Sequence, residues 1–362
     1  MLGAGCGGQT FAGHLAMLGY DVNLYNRSPE RLGQLVTNPV INLKGAINGT
    51  GKLNTATTNI EEAVEGSEII LVVTTATGHR SIAKAVTPYL KDGQAIILNP
   101  GRTFGSLEFA NEVYSQRPEL DVDIVEANTL IYATRVTEPG RAQVCGVKEE
   151  VAVSALRPER TRRVIEKMQP HFPQLREAQN ILETSMGNIG AVFHPTIMLL
   201  NYERVIGEKD FMFYTEGVTP EVATFLEQVD RERQNVAEAL GTQVPSISEW
   251  LKTRYNLEGD SLRTLMTTNP AYATITAPNS MNHRYIFEDV PTGLVPISLV
   301  GEALGIKTPS IDYLLQQSEN LFNYDFVRNG RNLKRLGLTS TGLRDELSGF
   351  VQRELDVVGA YR

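Results

Sequence analysis

The glycine pattern at the start of the chain constrains its fold more than any other feature. Gly3, Gly5 and Gly8 in "MLGAGCGGQ" have the spacing G-x-G-x-x-G, and residues 10–18 then turn apolar at helical intervals. That is the strand, turn and helix order that a phosphate-cradling glycine loop needs. Each glycine has a physical reason: Gly3 allows a tight turn, Gly5 lets the backbone approach a pyrophosphate, and Gly8 lets helix pack closely on strand. The first amides of the following helix then face the phosphates. Gly3, Gly5, Cys6 and Gly8 are therefore candidate cofactor-binding positions. Only Met1 and Leu2 precede Gly3, whereas a central first strand usually runs about five residues. The natural chain is accordingly expected to begin a few residues earlier.

The next segments read as alternating strands and helices. Residues 21–25 form a short strand, and Asn26-Arg27-Ser28-Pro29 a turn whose serine is expected to cap a helix opening at Pro29. In sheets that bind NAD, an acidic residue commonly ends the second strand and holds the ribose 2′-hydroxyl, whereas an arginine suits a 2′-phosphate. With Asn26 and Arg27 at this position the expected cofactor is NADP in preference to NAD. Residues 44–58, rich in glycine, asparagine and threonine, read as short hairpin strands or a loop. Residues 68–74 ("EIILVVT") have the continuous apolar character of a parallel strand buried on both faces, residues 80–90 read as a helix, and residues 94–98 ("QAIIL") and 123–127 as two further strands. Residues 144–156 alternate and are expected to add antiparallel edge strands, and Arg157-Pro158 opens a charged helix that ends near Pro170. The expected architecture is an α/β doubly wound sheet followed by a mostly α-helical C-terminal domain. The 362 residues can bury two cores, with domains at 1–179 and 180–362.

Net charge is −8 with no basic run, which disfavours nucleic acid and anionic membranes as partners. Two cysteines, Cys6 and Cys145, give neither a disulfide framework nor a metal-ligand spacing, so no metal is expected and a reducing cytoplasm is the simplest location. No apolar stretch approaches the ~20 residues of a spanning helix.

Two segments carry candidate chemistry. The first is residues 183–201, "ETSMGNIGAVFHPTIMLLN". Gly187, Gly190 and Ala191 make one side of this helix small, open to another backbone or to a flat ligand. Pro195 should kink the helix or restart it after His194. A histidine at such an irregularity is a candidate catalytic group, against the ordinary reading of a packed core histidine. Asn188 is placed to hydrogen-bond substrate or nicotinamide. The second segment is residues 279–296, "NSMNHRYIFEDVPTGLVP", where Arg284 and Asp289 flank an aromatic run. The ordinary reading is a surface ion pair. The functional one gives Arg284 a substrate carboxylate, gripped by its planar fork, and gives Asp289 the task of orienting a histidine. Of the other histidines, His14 reads as packing, His79 stands at a strand end near the cofactor, and His283 is either site-lining or solvent-facing.

Taken together, the glycine-rich start, "AIILNPG", "GNIGAVFHP" and "NHRYIFEDVPTGLVP" resemble the opine dehydrogenase family, which includes octopine and nopaline dehydrogenases. The likeness covers essentially the whole chain, with "EGVTP" at 216–220 and "NPAY" at 269–272 included. The resemblance implies a Rossmann-type NAD(P)-binding domain and a helical domain like the C-terminal part of 6-phosphogluconate dehydrogenase. It also implies reductive condensation of an amino acid with a 2-oxo acid, small-molecule partners only, His194 and Asp289 as the catalytic pair, and Arg284 as a substrate-binding residue. A homodimer is compatible with this plan. The sequence departs from the family at its short first strand and at Asn26-Arg27, where relatives that use NAD tend to carry an acidic residue. The alternative is a hydroxy-acid or ketopantoate-reductase-like dehydrogenase of the same plan. Such enzymes typically use a lysine on the first helices of the second domain, and none lies between Gln169 and Val205. A nucleotide sensor that has lost turnover is a third reading.

Overall fold

The computed structural model describes residues 1–207, 210–340, 342–343 and 346–347, and the rest of the expected helical domain lies outside the described residues. The chain divides into two compact units, Met1–Thr184 and a second that begins at Ser185. The sequence places the boundary a few residues earlier. Residues 180–184 belong to the first unit because their side chains are tied into it: the Thr184 hydroxyl donates to the buried Glu126 carboxylate at 2.6 Å, and Glu183 accepts from Arg176 at 2.7 Å.

The first unit contains strands β1 (Asn23–Tyr25), β2 (Val40–Gly45), β3 (Gly49–Lys52), β4 (Thr55–Thr57), β5 (Ile69–Val72), β6 (Ala95–Leu98), β7 (Asp123–Ala127), β8 (Tyr132–Glu138), β9 (Arg141–Val147), β10 (Val151–Ala155) and β11 (Leu175–Glu177). Leu2 lies between β1 and β5, bridged in parallel to Tyr25 on one side and Val72 on the other. Its amide donates to the Leu71 carbonyl at 2.8 Å, and Val73 donates back to its carbonyl at 2.8 Å. The parallel order is thus β4, β1, the first residues, β5, β6 and β7. Strands β6 and β7 are buried along their whole length, β6 as an unbroken apolar run and β7 with Asp123 and Glu126 buried among its apolar residues.

Two details differ from the sequence reading. Strand β10 does run antiparallel to β7, but it is not an edge, because β11 pairs beyond it. Strand β9 leaves this sheet altogether and forms a second one with β8, β2 and β3. That second sheet covers the helix Cys6–Met17. Thr10 bonds Thr134 at 2.7 Å, Gln9 accepts from the Gly140 amide at 2.9 Å, and His14 Nδ1 meets the Tyr132 hydroxyl at 2.8 Å. His14 is therefore a packing residue.

The fully buried Glu126 explains how helix Gly105–Gln116 begins. Its residue before the first turn, Phe104, has φ 57° and offers no side-chain cap. Glu126, at the end of β7, accepts the Ser106 amide at 2.9 Å instead. A carboxylate at a helix N-terminus satisfies an orphan donor and complements the dipole.

In the second unit the regular elements among the described residues are all helices, with one isolated bridge, Met212 to Thr276, in place of a strand. Its long helix Pro220–Ala239 is capped by Thr219. A fully buried Arg233 fastens this helix to its surroundings. The guanidinium donates through Nε and Nη2 to Oδ1 of Asp230, at 2.9 and 2.6 Å, and to the carbonyls of Met186 at 2.5 Å and Pro245 at 2.7 Å. Asp230 uses its other oxygen to accept the Ile247 amide at 2.8 Å. No described helix is long and apolar enough to cross a membrane.

Removing the arginine would leave Asp230 charged and buried without its cation. We expect Arg233→Ala to lower the stability of the second unit by about 3–5 kcal/mol in chemical denaturation, and Asp230→Asn added to it to restore part of that loss. Stability unchanged by the single substitution would contradict this assignment.

Candidate active site

In the glycine loop the three positions divide as their chemistry demands. Gly3 has φ 113°, and a Cβ there would sit 2.4 Å from the Val73 carbonyl oxygen. A Cβ on Gly8 would lie 1.8 Å from the Gly3 carbonyl oxygen, so the helix can approach this closely only with a glycine. Gly5 is different: its backbone is ordinary, φ −73° and ψ −172°, and a Cβ there would meet nothing within 4 Å. Protein packing does not explain Gly5, whereas a ligand lying against the backbone does. The helix that begins at Cys6 has no side-chain cap and no acidic residue in its first turn, which leaves its N-terminal dipole available for an anion. The loop therefore fits a dinucleotide pyrophosphate. Cys6 is exposed, and its sulfur accepts the Val136 amide at 3.3 Å.

At the end of β1, Asn26 is used inside the protein. Its carbonyl oxygen accepts the Ala4 amide at 3.0 Å and its amide donates to the Ser28 carbonyl at 3.0 Å, so it braces the glycine loop. Ser28 makes no capping bond, and the chain continues into a short 3₁₀ turn, Pro29–Arg31, in place of the expected helix. Arg27 is exposed beside this turn. His79 is fully buried, with its ring nitrogen Nδ1 3.2 Å from where a Cβ on Gly105 would be, so it packs against the start of helix Gly105–Gln116.

In the second unit the sequence segments 95 residues apart come together. Helix Gly190–Leu200 carries His194, and Asp289 stands directly before the π-helical turn Val290–Leu294. Asp289 Oδ2 lies 2.7 Å from His194 Nδ1, with the aspartate side chain fully buried and the histidine 15% exposed. A buried carboxylate facing Nδ1 places the ring proton there and leaves Nε2 as the working nitrogen. The imidazole stacks on Tyr285, centroids 4.0 Å apart and planes 12° apart. His283 faces the edge of Tyr285 and accepts its backbone amide at 3.3 Å. Burial, with help from Arg284, pushes the His283 pKa down, which favours the neutral ring that this bond needs. On the far side, Nε2 of His194 is 3.2 Å from the hydroxyl of Tyr214, a residue not identified from the sequence.

Helix Gly190–Leu200 runs through Pro195 without restarting, which rules out one of the two outcomes expected from the sequence, a kink or a restart. The proline removes one amide and so one intrahelical bond to the Ala191 carbonyl. The small side of the segment is taken by backbone: a Cβ on Gly293 would lie 2.3 Å from the Ala191 Cβ and 3.6 Å from the Asn188 amide nitrogen. Of the two occupants that the small residues allow, a neighbouring chain segment fills the place at Ala191. Asn188 is buried against the same turn. Arg284 does not pair with Asp289; its Nε and Nη2 bond Oε2 of Glu288, one helical turn on, at 2.8 and 2.7 Å. The arginine side chain is half exposed, and among the described residues no acceptor faces its Nη1.

Residues 177–321 match the family described as NAD/NADP octopine/nopaline dehydrogenase, alpha-helical domain, and residues 1–118 match the N-terminus of NAD-dependent glycerol-3-phosphate dehydrogenase. An opine dehydrogenase from Arthrobacter sp. (strain 1C) is 36% identical over 348 residues, which is 95% of this chain and 97% of that one. The structure of octopine dehydrogenase with NADH and L-arginine superposes with a TM-score of 0.82 at 21% identity, covering 94% of this chain and 96% of that one. A ketopantoate reductase from Ralstonia eutropha reaches 0.60 at 18% identity, over 91% of this chain and 99% of that one.

The glycine geometry gives a paired prediction. Gly5→Val should fold with stability near that of the parent chain and weaken NAD(P)H binding at least about tenfold, measured by fluorescence titration, because its side chain fills ligand space only. Gly8→Ala should cost roughly 3 kcal/mol of stability, because its methyl meets a carbonyl that cannot move. Equal effects of the two on both measurements would contradict the division.

Proposed function

Because the chain belongs to the opine dehydrogenase family, and is an NAD(P)-dependent oxidoreductase acting on CH–NH groups, we propose that His194 and Asp289 handle the proton in its reaction. That reaction is the condensation of an amino acid with a 2-oxo acid and reduction of the resulting imine, and its reverse. When bound, the nicotinamide supplies or accepts the hydride. The observation that carries the proposal is the 2.7 Å contact of the buried Asp289 with Nδ1 of His194. The carboxylate fixes the tautomer and stabilises the imidazolium that forms when Nε2 takes the proton from the amine nitrogen.

Arg284 holds a substrate carboxylate. Glu288 takes the Nε and Nη2 side of its fork, and this ion pair orients the guanidinium so that Nη1 is presented outward. Holding one substrate in a fixed pose makes hydride transfer to a single face efficient. Asn188, buried beside the Gly293 turn, is a candidate partner for the substrate or the nicotinamide amide.

For the cofactor, Gly3, Gly5, Cys6 and Gly8 form the pyrophosphate loop, and NADP is preferred to NAD. Asn26 is engaged with Ala4 and Ser28, no acidic residue stands in its place, and the exposed Arg27 is available to a 2′-phosphate. Both described cysteines are free, which suits work in a reducing cytoplasm. The partners are small molecules, and a homodimer accords with this reading.

The test follows NADPH and NADH consumption with pyruvate, with and without a pool of amino acids. Oxidation should require both substrates; oxidation with the 2-oxo acid alone would favour the hydroxy-acid reading. His194→Ala should keep nucleotide affinity and lose about two to four orders of magnitude in turnover, and near-normal turnover would remove it from the mechanism. Arg27→Ala should lower the NADPH to NADH ratio of kcat/KM about tenfold; an unchanged ratio would overturn the 2′-phosphate assignment.

A further inference from the structure

Neutral imidazole has one lone pair once its other nitrogen is protonated. In His194 that lone pair is on Nε2, because Asp289 claims Nδ1. The group facing Nε2 is the hydroxyl of Tyr214 at 3.2 Å. A proton that reaches or leaves His194 by this nitrogen therefore meets Tyr214 first.

The surroundings of Tyr214 hold it there. Its segment is pinned by backbone bonds on both sides: Phe213 donates to the Ile275 carbonyl at 2.8 Å, and Ala277 donates to the Phe211 carbonyl at 2.9 Å. A Cβ on Gly217 would lie 2.2 Å from the Phe213 carbonyl oxygen, so the turn after Tyr214 is tight. The ring stacks on Tyr272, with centroids 4.1 Å apart, and Phe213 and Phe193 meet its edges. Only 6% of the residue is exposed. Burial, reinforced by the neighbouring tyrosines and Asp289, raises the Tyr214 pKa well above the usual phenol range. A free tyrosinate is thus disfavoured, and the hydroxyl is a neutral donor and acceptor.

Resting on the assignment of His194 above, we propose that Tyr214 is a catalytic residue that relays the proton between the substrate nitrogen and His194. In the oxidative direction the amine N–H gives its proton to the Tyr214 oxygen while the Tyr214 O–H gives its own to Nε2. One N–H bond and one O–H bond break, and one O–H bond and one N–H bond form. Tyr214 is neutral before and after, and the positive charge rests on the imidazolium beside Asp289. The hydride removed from carbon goes to the oxidised nicotinamide that the established activity already uses. The reductive direction is the same transfer reversed, with the imidazolium as the source of the proton. Concerted exchange avoids the tyrosinate that the buried site opposes.

The test compares Tyr214→Phe with Tyr272→Phe in the complete chain. Each deletes one buried hydroxyl from one of two stacked rings, and among the described residues Tyr272 has no hydrogen bond or ring contact with His194. Expected for Tyr214→Phe is a fall in kcat of at least about thirtyfold, with KM for both substrates within threefold, nucleotide binding unchanged and thermal stability near wild type. Tyr272→Phe should keep kcat within threefold. A kcat for Tyr214→Phe within threefold of wild type would overturn the relay. So would equal losses in the two variants, or a loss carried by KM and stability, since these mark a packing role. His194→Ala in parallel separates the two claims: if it keeps turnover, the histidine assignment fails and the relay with it; if it loses turnover while Tyr214→Phe does not, only the relay fails.

Discussion

A carboxylate with no exposed surface is costly unless a cation or strong donors compensate it, and the second unit is arranged around this constraint at Asp289. The imidazole of His194 supplies the compensation at 2.7 Å. To bring it there, helix Gly190–Leu200 must lie against the turn after Asp289, and the approach of Gly293 to Ala191 makes that possible. Tyr285 then covers one face of the ring and Tyr214 meets its free nitrogen. A buried aspartate held only for stability would not need a partly exposed histidine opposite it.

The same logic of placement appears in the first unit. Leu2 sits between β1 and β5, so the glycine loop emerges from the middle of the parallel sheet, at the carboxyl ends of its strands where ligands bind in such folds. Gly3 and Gly8 are demanded by the backbone around them, and Gly5 is not. Asn26 braces the loop from the neighbouring strand, which is why an acidic residue is absent there without cost to the fold.

How much of this was legible in the sequence depended on range. The parallel strands β5 and β6 are unbroken apolar runs, and the glycine spacing fixes the helix after the first strand, so both could be read locally. Strand β8 was missed because most of its residues face solvent and its sequence, "YATRVTE", carries little apolar signal. The destination of β9 in a second sheet depends on pairing with β2, nearly a hundred residues earlier, which no local pattern encodes. At the site, His194, Arg284 and Asp289 stood out by residue type and by resemblance, but the pairing of Arg284 with Glu288 did not, because two acidic neighbours, Glu288 and Asp289, offered equal sequence cues. Tyr214 had no signal of its own beyond the nearby "EGVTP"; only the bridge between Met212 and Thr276 brings it to His194. Arg233 and Glu126 were likewise invisible: Asp230 and Arg233 stand one helical turn apart like an ordinary surface pair, and the groups that show the two charges to be buried, Met186 for Arg233 and Ser106 for Glu126, are distant in the chain.

The most direct test of the central claim is turnover of Asp289→Asn, which keeps the size of the side chain and removes the charge, measured beside its nucleotide dissociation constant. The account predicts a loss of about two to four orders of magnitude in kcat with nucleotide binding unchanged, because the imidazole loses both its tautomer and the stabilisation of its charged form. Turnover close to that of the parent chain would show that the buried carboxylate serves the fold alone, and would contradict the account.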